Sequence, residues 1–241
     1  MPLSRALRSV LRPRRPRART QHPASRVALV CMSRARLSVV AVVSLLATAL
    51  LGLAVSRGHT AFQLDRNVIH LLGRPPDVHL WEHVADFLGA PVIAAVVIAS
   101  LVLGAFRRIL LRVGVFAGFG AAAFVISEHI AKPAVGERFF GELSFPSGNV
   151  TAVCATAVAM WIALYPVLGK WARSITFVFG AAWTCLMSAA VVGAIWHTPL
   201  DCIGSVLLSL GVVTAGAAIY QPKPAPVPPA PSEPVRLMER V

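Results

Sequence analysis

Hydrophobic positions in this chain come in six long runs separated by short polar connections. The runs are Leu37 to Val55, Phe87 to Phe106, Val113 to about Ile130, Ser147 to about Tyr165, Ser174 to Ile195 and Pro199 to Tyr220. Each has the length of a bilayer-spanning helix, about 20 residues. The first is 19 residues without a charge, longer than most signal-peptide cores, and no small-x-small cleavage site follows it, so it reads as a retained helix. The pattern predicts an all-α protein, an integral membrane bundle of six transmembrane helices occupying residues 37–220.

The flanks differ in kind. Residues 1–36 are rich in Arg, Pro and Ala, as in Arg12, Pro13, Arg14, Arg15, Pro16 and Arg17; they cannot bury a core and are expected to form a disordered basic tail. Met32, followed by Ser33, Arg34, Ala35 and Arg36, reads as an alternative translation start, an expectation that peptides from residues 1–31 would overturn. Residues 221–241 carry Pro222, Pro224, Pro226, Pro228, Pro229 and Pro231 and are expected to be an exposed, disordered Pro-rich tail.

Composition excludes a soluble domain: 56% of residues are hydrophobic and only 14% charged. The net charge of +13 would suit a nucleic-acid binder, but its position argues otherwise. Ten arginines and no acid fall in residues 1–36, leaving 13 basic against 10 acidic residues elsewhere. With the N-terminus inside, cytoplasmic segments collect Arg107, Arg108, Arg112, Lys170, Arg173, Lys223, Arg236, Arg240 and the tail arginines. The outer segments keep only Arg57, Arg66, Arg74, Lys132 and Arg138. The bias places both termini in the cytoplasm. Tyr165, Trp171, Trp196 and Tyr220, near helix ends, suit the interfacial aromatic belt. The cysteines, Cys31, Cys154, Cys185 and Cys202, have neither metal-ligand nor disulfide spacing and read as small apolar fillers.

Three polar clusters fall on the predicted outer face. Glu128, His129, Lys132 and Arg138 lie at and beyond the end of the third run. Pro133 disfavours helical geometry at Lys132, so the helix is expected to end there with the ammonium near the surface, where snorkelling alone would account for it. Pro146, Ser147, Gly148 and Asn149 open the fourth run, and their free backbone N–H groups favour an anion; a plain helix cap at Ser147 or Asn149 is the alternative. His197 and Asp201 precede and open the sixth run. Thr198 as N-cap, Pro199 at N1 and Asp201 at N3 would make an ordinary helix start. Equally, Asp201 would fix the tautomer of His197 and leave its other ring nitrogen as a nucleophile. All three clusters share one side of the membrane.

Together these residues resemble the type 2 phosphatidic acid phosphatase superfamily, six-helix membrane enzymes that remove phosphate from lipid phosphates and diphosphates. The family pattern is a Lys with a downstream Arg-Pro, then Pro-Ser-Gly-His, then Ser-Arg, five residues and His-x-x-x-Asp. It is matched by Lys132 and Arg138, by Pro146, Ser147, Gly148 and Asn149, and by His197 through Asp201, while the stretch from Leu64, Asp65 and Arg66 to Leu88, Gly89, Ala90 and Pro91 is similar to the family's lead into its second helix. The resemblance implies that His197 attacks phosphorus to form a phosphohistidine, with Asp201 orienting it. Lys132, Arg138, Ser147 and Gly148 would hold the phosphoryl oxygens. It implies no metal or cofactor, a lipid phosphate or diphosphate as partner within the bilayer, no nucleic acid, and a site facing the extracytoplasmic side of the plasma membrane.

The match departs from the pattern in four places. Asn149 stands where the family has the His that protonates the leaving group, and an amide is no general acid. Val191 replaces the third motif's Arg, with Ala190 before it in place of Ser; Arg138 is one residue nearer Lys132 than usual and is followed by Phe139 in place of Pro. Two functions accommodate this. A polyprenyl diphosphate expels a phosphate that leaves unprotonated, or His129, about a turn before Lys132, supplies the proton. Alternatively the chain is a weak or inactive member that binds a lipid phosphate.

Overall fold

The computed structural model describes residues 24–57, 63, 65, 67, 77–139 and 141–220. Helix α1 spans Ala24–Ser56, α2 Val78–Leu88, α3 Ala90–Phe106 and α4 Leu110–Ile126. A π-helical turn at Ser127–Ala131 leads into the short α5, Lys132–Val135. A two-stranded hairpin follows, β1 Arg138–Phe139 and β2 Glu142–Leu143. Three further helices complete the chain: α6 Gly148–Leu164, α7 Lys170–Gly193 and α8 Pro199–Ile219.

Five helical stretches are long and apolar enough to cross a membrane, 34–56, 78–106, 110–135, 170–193 and 199–219; α6, at 17 residues, is apolar but shorter. At 1.5 Å per residue α6 reaches roughly 25 Å, just under the hydrocarbon thickness of a bilayer. Its Val150, Val153, Ala155, Ala159 and Ala163 are buried, and it packs against α4, α7 and α8 as the centre of the bundle. Val39, Leu46, Leu50, Ile98, Ile175 and Phe177, by contrast, are exposed, the pattern of side chains that face lipid.

Three element boundaries differ from the expected ones. The first helix reaches back to Ala24, 13 residues ahead of the expected start at Leu37. The segment after Pro23 is rich in Ala, Arg, Leu, Val and Met and holds no Pro or Gly before Gly52, so helix propensity carries it through the arginines. Residues 1–23 of the expected basic tail and the Pro-rich tail 221–241 lie outside the described residues, as do Arg66 and Arg74. The second run begins at Val78, with a break at Gly89, whose backbone (φ −75°, ψ −119°) is not helical. The third does not stop at Lys132: the Lys132 N–H bonds back five residues to the Ser127 carbonyl. That wider turn accommodates Pro133, which lacks an N–H and whose ring would clash with the preceding turn of a regular helix. The helix ends instead at Gly136, in the left-handed region at φ 68°.

Short connections at 107–109, 165–169 and 194–198 make successive helices antiparallel. They gather the ends of α1, α4 and α7 and the starts of α6 and α8 at one end of the bundle. Hydroxyls set the register there: Ser205 Oγ lies 2.8 Å from the Ser147 carbonyl, and Ser209 Oγ donates to the Thr151 carbonyl at 3.1 Å. Between apolar helices such bonds average about 0.6 kcal/mol each. Phe145 is buried with Val55 and Leu200, and its ring lies where a Cβ on Gly204 would be. Gly204→Ala is therefore expected to destabilise the chain by about 1–3 kcal/mol through overpacking. Thermal unfolding of the detergent-purified variant checks this; an unchanged midpoint would mean the ring has room to yield.

Candidate active site

The start of α8 carries the densest polar geometry. Thr198 caps it, accepting the Asp201 N–H at 3.3 Å, while Asp201 Oδ2 accepts the Thr198 N–H at 2.9 Å. This is the capping box expected from Thr198, Pro199 and Asp201. It is not an alternative to chemistry, because the same Asp201 oxygen also faces His197 Nδ1 at 3.4 Å. Asp201 is fully buried and the His197 side chain 12% exposed. A proton on Nδ1 directed at the carboxylate would leave the lone pair on Nε2. Val191 O accepts the backbone N–H groups of Trp196 and His197, at 3.0 and 3.3 Å, fixing the connection that presents the ring.

Ser144 joins this group through its hydroxyl, which donates to Asp201 Oδ2 and lies 3.5 Å from His197 Nδ1. Ser147 is the N-cap of α6, accepting the Val150 N–H, and its own N–H donates to the Asp201 carbonyl at 3.4 Å. The plain cap expected at Ser147 is therefore formed. Ser147 and Gly148 thus lie against the turn that carries Asp201.

Lys132 is not a freely snorkelling ammonium. Its side chain is 14% exposed and pairs with Glu128 at 2.8 Å, since the two residues remain four apart across the π turn. The Glu128 carboxylate occupies the space where a Cβ on Gly148 would sit. An internal carboxylate and the Lys132 ammonium thus already meet beside the backbone of the α6 start.

Arg138 is exposed, and its guanidinium donates to the Gly141 carbonyl across the hairpin turn at 2.7 Å; it is not hydrogen-bonded to the His197 cluster. His129 is exposed on the π turn, and no hydrogen bond among the described residues joins it to that cluster. Asn149 is exposed on the first turn of α6. Val191 and Ala190 are fully buried in an apolar cluster with Val150, Met187 and Trp183, so that place offers a phosphate no cation.

Two acids and a hydroxyl at this site had no site role in the sequence, although Asp65 lies in the stretch noted before the second helix. Asp65 is buried, its Oδ1 accepting the Leu200 N–H at 3.1 Å, and burial raises its pKa. Glu137 lies on the other side of Ser144 from Asp201, its carbonyl accepting the Ser144 N–H at 3.1 Å. Burial first, then the Asp201 and Asp65 charges, push its pKa from 4.5 up to about 8. Its contribution therefore favours the folded state fully below its ordinary value and is lost as pH rises through about 8. An acid between Lys132 and Arg138 was the available signal for Glu137; Ser144 offered none.

The arrangement defines a class: apolar helices that point to a multi-pass membrane protein, bearing a His–Asp pair and a helix N-terminus at one end of the bundle. The PAP2 superfamily model matches residues 123–224, from the end of α4 past the C-terminus of α8. That match is consistent with a member of the type 2 phosphatidic acid phosphatase superfamily. No curated protein and no solved structure matches it.

Proposed function

We propose that the chain is a six-span membrane phosphatase that hydrolyses a lipid phosphate or polyprenyl diphosphate through a phosphohistidine at His197. In this reading both termini are cytoplasmic and the site faces the extracytoplasmic side of the plasma membrane. The observation that carries it is His197 Nδ1 held against the buried Asp201 carboxylate, which leaves Nε2 as nucleophile beside the N-terminus of α6. The charge bias between the two ends supports the sidedness.

Nε2 attacks phosphorus, a P–N bond forms, and the bond to the leaving oxygen breaks; Asp201 stabilises the imidazolium that develops. The phosphoryl oxygens sit at the Ser147 hydroxyl and the Gly148 backbone, with Lys132 turned from Glu128 toward them. Water then attacks the phosphohistidine, inorganic phosphate leaves and the ring is restored. Arg138 joins only on leaving Gly141. The exposed amide of Asn149 supplies no proton, which favours a diphosphate: its leaving group is a phosphate, stable without protonation.

Purified full-length protein is therefore expected to release phosphate from a polyprenyl diphosphate faster than from phosphatidic acid, by on the order of a hundredfold, the scale of a missing general acid. Equal rates would remove the basis for this preference. The buried apolar Val191 and the outward Arg138 support a second reading, a weak or inactive lipid-phosphate binder of the same fold. Binding without turnover on either substrate would select it.

A further inference from the structure

Among the described residues, two buried side-chain oxygens have no hydrogen-bond partner, Glu137 Oε2 and Asp201 Oδ1. They belong to neighbouring residues bridged by Ser144, whose N–H donates to the Glu137 carbonyl at 3.1 Å and whose hydroxyl donates to Asp201 Oδ2. Two ionised carboxylates there would leave two desolvated acceptors facing each other without a donor. One proton removes both deficits. Asp201 Oδ2 already accepts from the Ser144 hydroxyl and the Thr198 N–H and faces His197 Nδ1, so Asp201 is the ionised member. Among the described residues no such donor reaches the side chain of Glu137, so Glu137 is the protonated one.

We propose that Glu137 carries a proton which it donates to Asp201 Oδ1, making it a positioning residue that holds the orienting carboxylate of His197 from the opposite side. This rests on the proposed role of His197 only for its effect on turnover. The acid arrives from the segment between α5 and β1, and the backbone anchors it, because the Ser144 N–H donates to the Glu137 carbonyl at 3.1 Å. Asp201 on α8 and Asp65 from the segment before α2 face the carboxyl, and His197 lies beyond Asp201. The nearby cations on its own segment are engaged elsewhere, Lys132 with Glu128 and Arg138 with Gly141. The proton is thus retained at neutral pH and lost as pH passes about 8. Two negative charges then face each other, and the restraint on Asp201 is lost.

The test uses the full chain in lipid nanodiscs, unsubstituted and as Glu137→Gln and Glu137→Ala. Infrared spectra at pH 7 should contain a protonated-carboxyl stretching band that Glu137→Gln removes. A band that persists in Glu137→Gln, or none in the unsubstituted chain, overturns the shared proton. Nitrogen NMR shifts of His197 should report the Nδ1–H tautomer in the unsubstituted chain and in Glu137→Gln, whose amide still donates, but mixed tautomers in Glu137→Ala. Identical shifts in all three overturn the positioning role. Turnover should fall roughly tenfold by pH 9, as expected for one proton with a pKa near 8, and Glu137→Gln should abolish that fall. An unaltered fall in the Gln variant counts against the proposal. The spectroscopic results stand even if no substrate turns over, which would refute only the phosphatase reading.

Discussion

His197→Ala is expected to reduce phosphate release by about 10⁴-fold or more, since a covalent mechanism loses its first step with its nucleophile. The substitution should leave the fold in place. Removing the ring takes one of three polar neighbours from Asp201 Oδ2 and leaves the Ser144 hydroxyl and the Thr198 N–H, so the buried carboxylate is not stranded. Asp201→Asn is less clean, because Asp201 is also half of the α8 capping box. Thr198→Ala separates these roles. It removes the other half of the box at a cost of about 1 kcal/mol while leaving the carboxylate facing His197. Loss of turnover in His197→Ala with near-normal turnover in Thr198→Ala would assign the activity to the imidazole. Substantial activity remaining in His197→Ala would refute the phosphohistidine.

What could be read from the chain was what is local in it. Apolar runs located the helices, and Ser147, Thr198 and Asp201 located their caps, because a cap is decided within four residues. The His197–Asp201 pairing was legible for the same reason. The π turn was not: Pro133 forbids a regular helix at that point but does not dictate whether the chain stops or widens. The side chain of Arg138 depends on the hairpin register, in which Arg138 pairs with Leu143, and on the turn at Gly141, so its position in a motif did not reveal its direction. The approach of Glu137 to Asp201 across Ser144 spans 64 positions and two separate elements. Only the assembled bundle brings those carboxyls together, and no spacing rule anticipates it.

Asn149→His is expected to raise phosphate release from phosphatidic acid by about 10²- to 10⁴-fold, the usual contribution of a placed general acid. Position 149 is exposed on the first turn of α6, so an imidazole can be accommodated without displacing core side chains. It would stand next to Gly148 and Ser147, where the phosphoryl group is proposed to rest, on the side open to a leaving group. A phosphate bound there offsets the positive end of the helix dipole, which by itself would favour the neutral ring. The substrate comparison separates chemistry from folding. An alkoxide must be protonated as it leaves, whereas the monophosphate expelled from a diphosphate need not be. The gain should therefore be large on phosphatidic acid and under about tenfold on a polyprenyl diphosphate. Equal gains on both would mean that the substitution improves binding or stability and supplies no proton. No gain on either would mean that position 149 does not reach the leaving group, and the diphosphate preference would need another cause. An unsubstituted chain inactive on both substrates that recovers turnover in Asn149→His would identify a binding protein, lacking the acid but retaining His197, Asp201 and the anion site at α6.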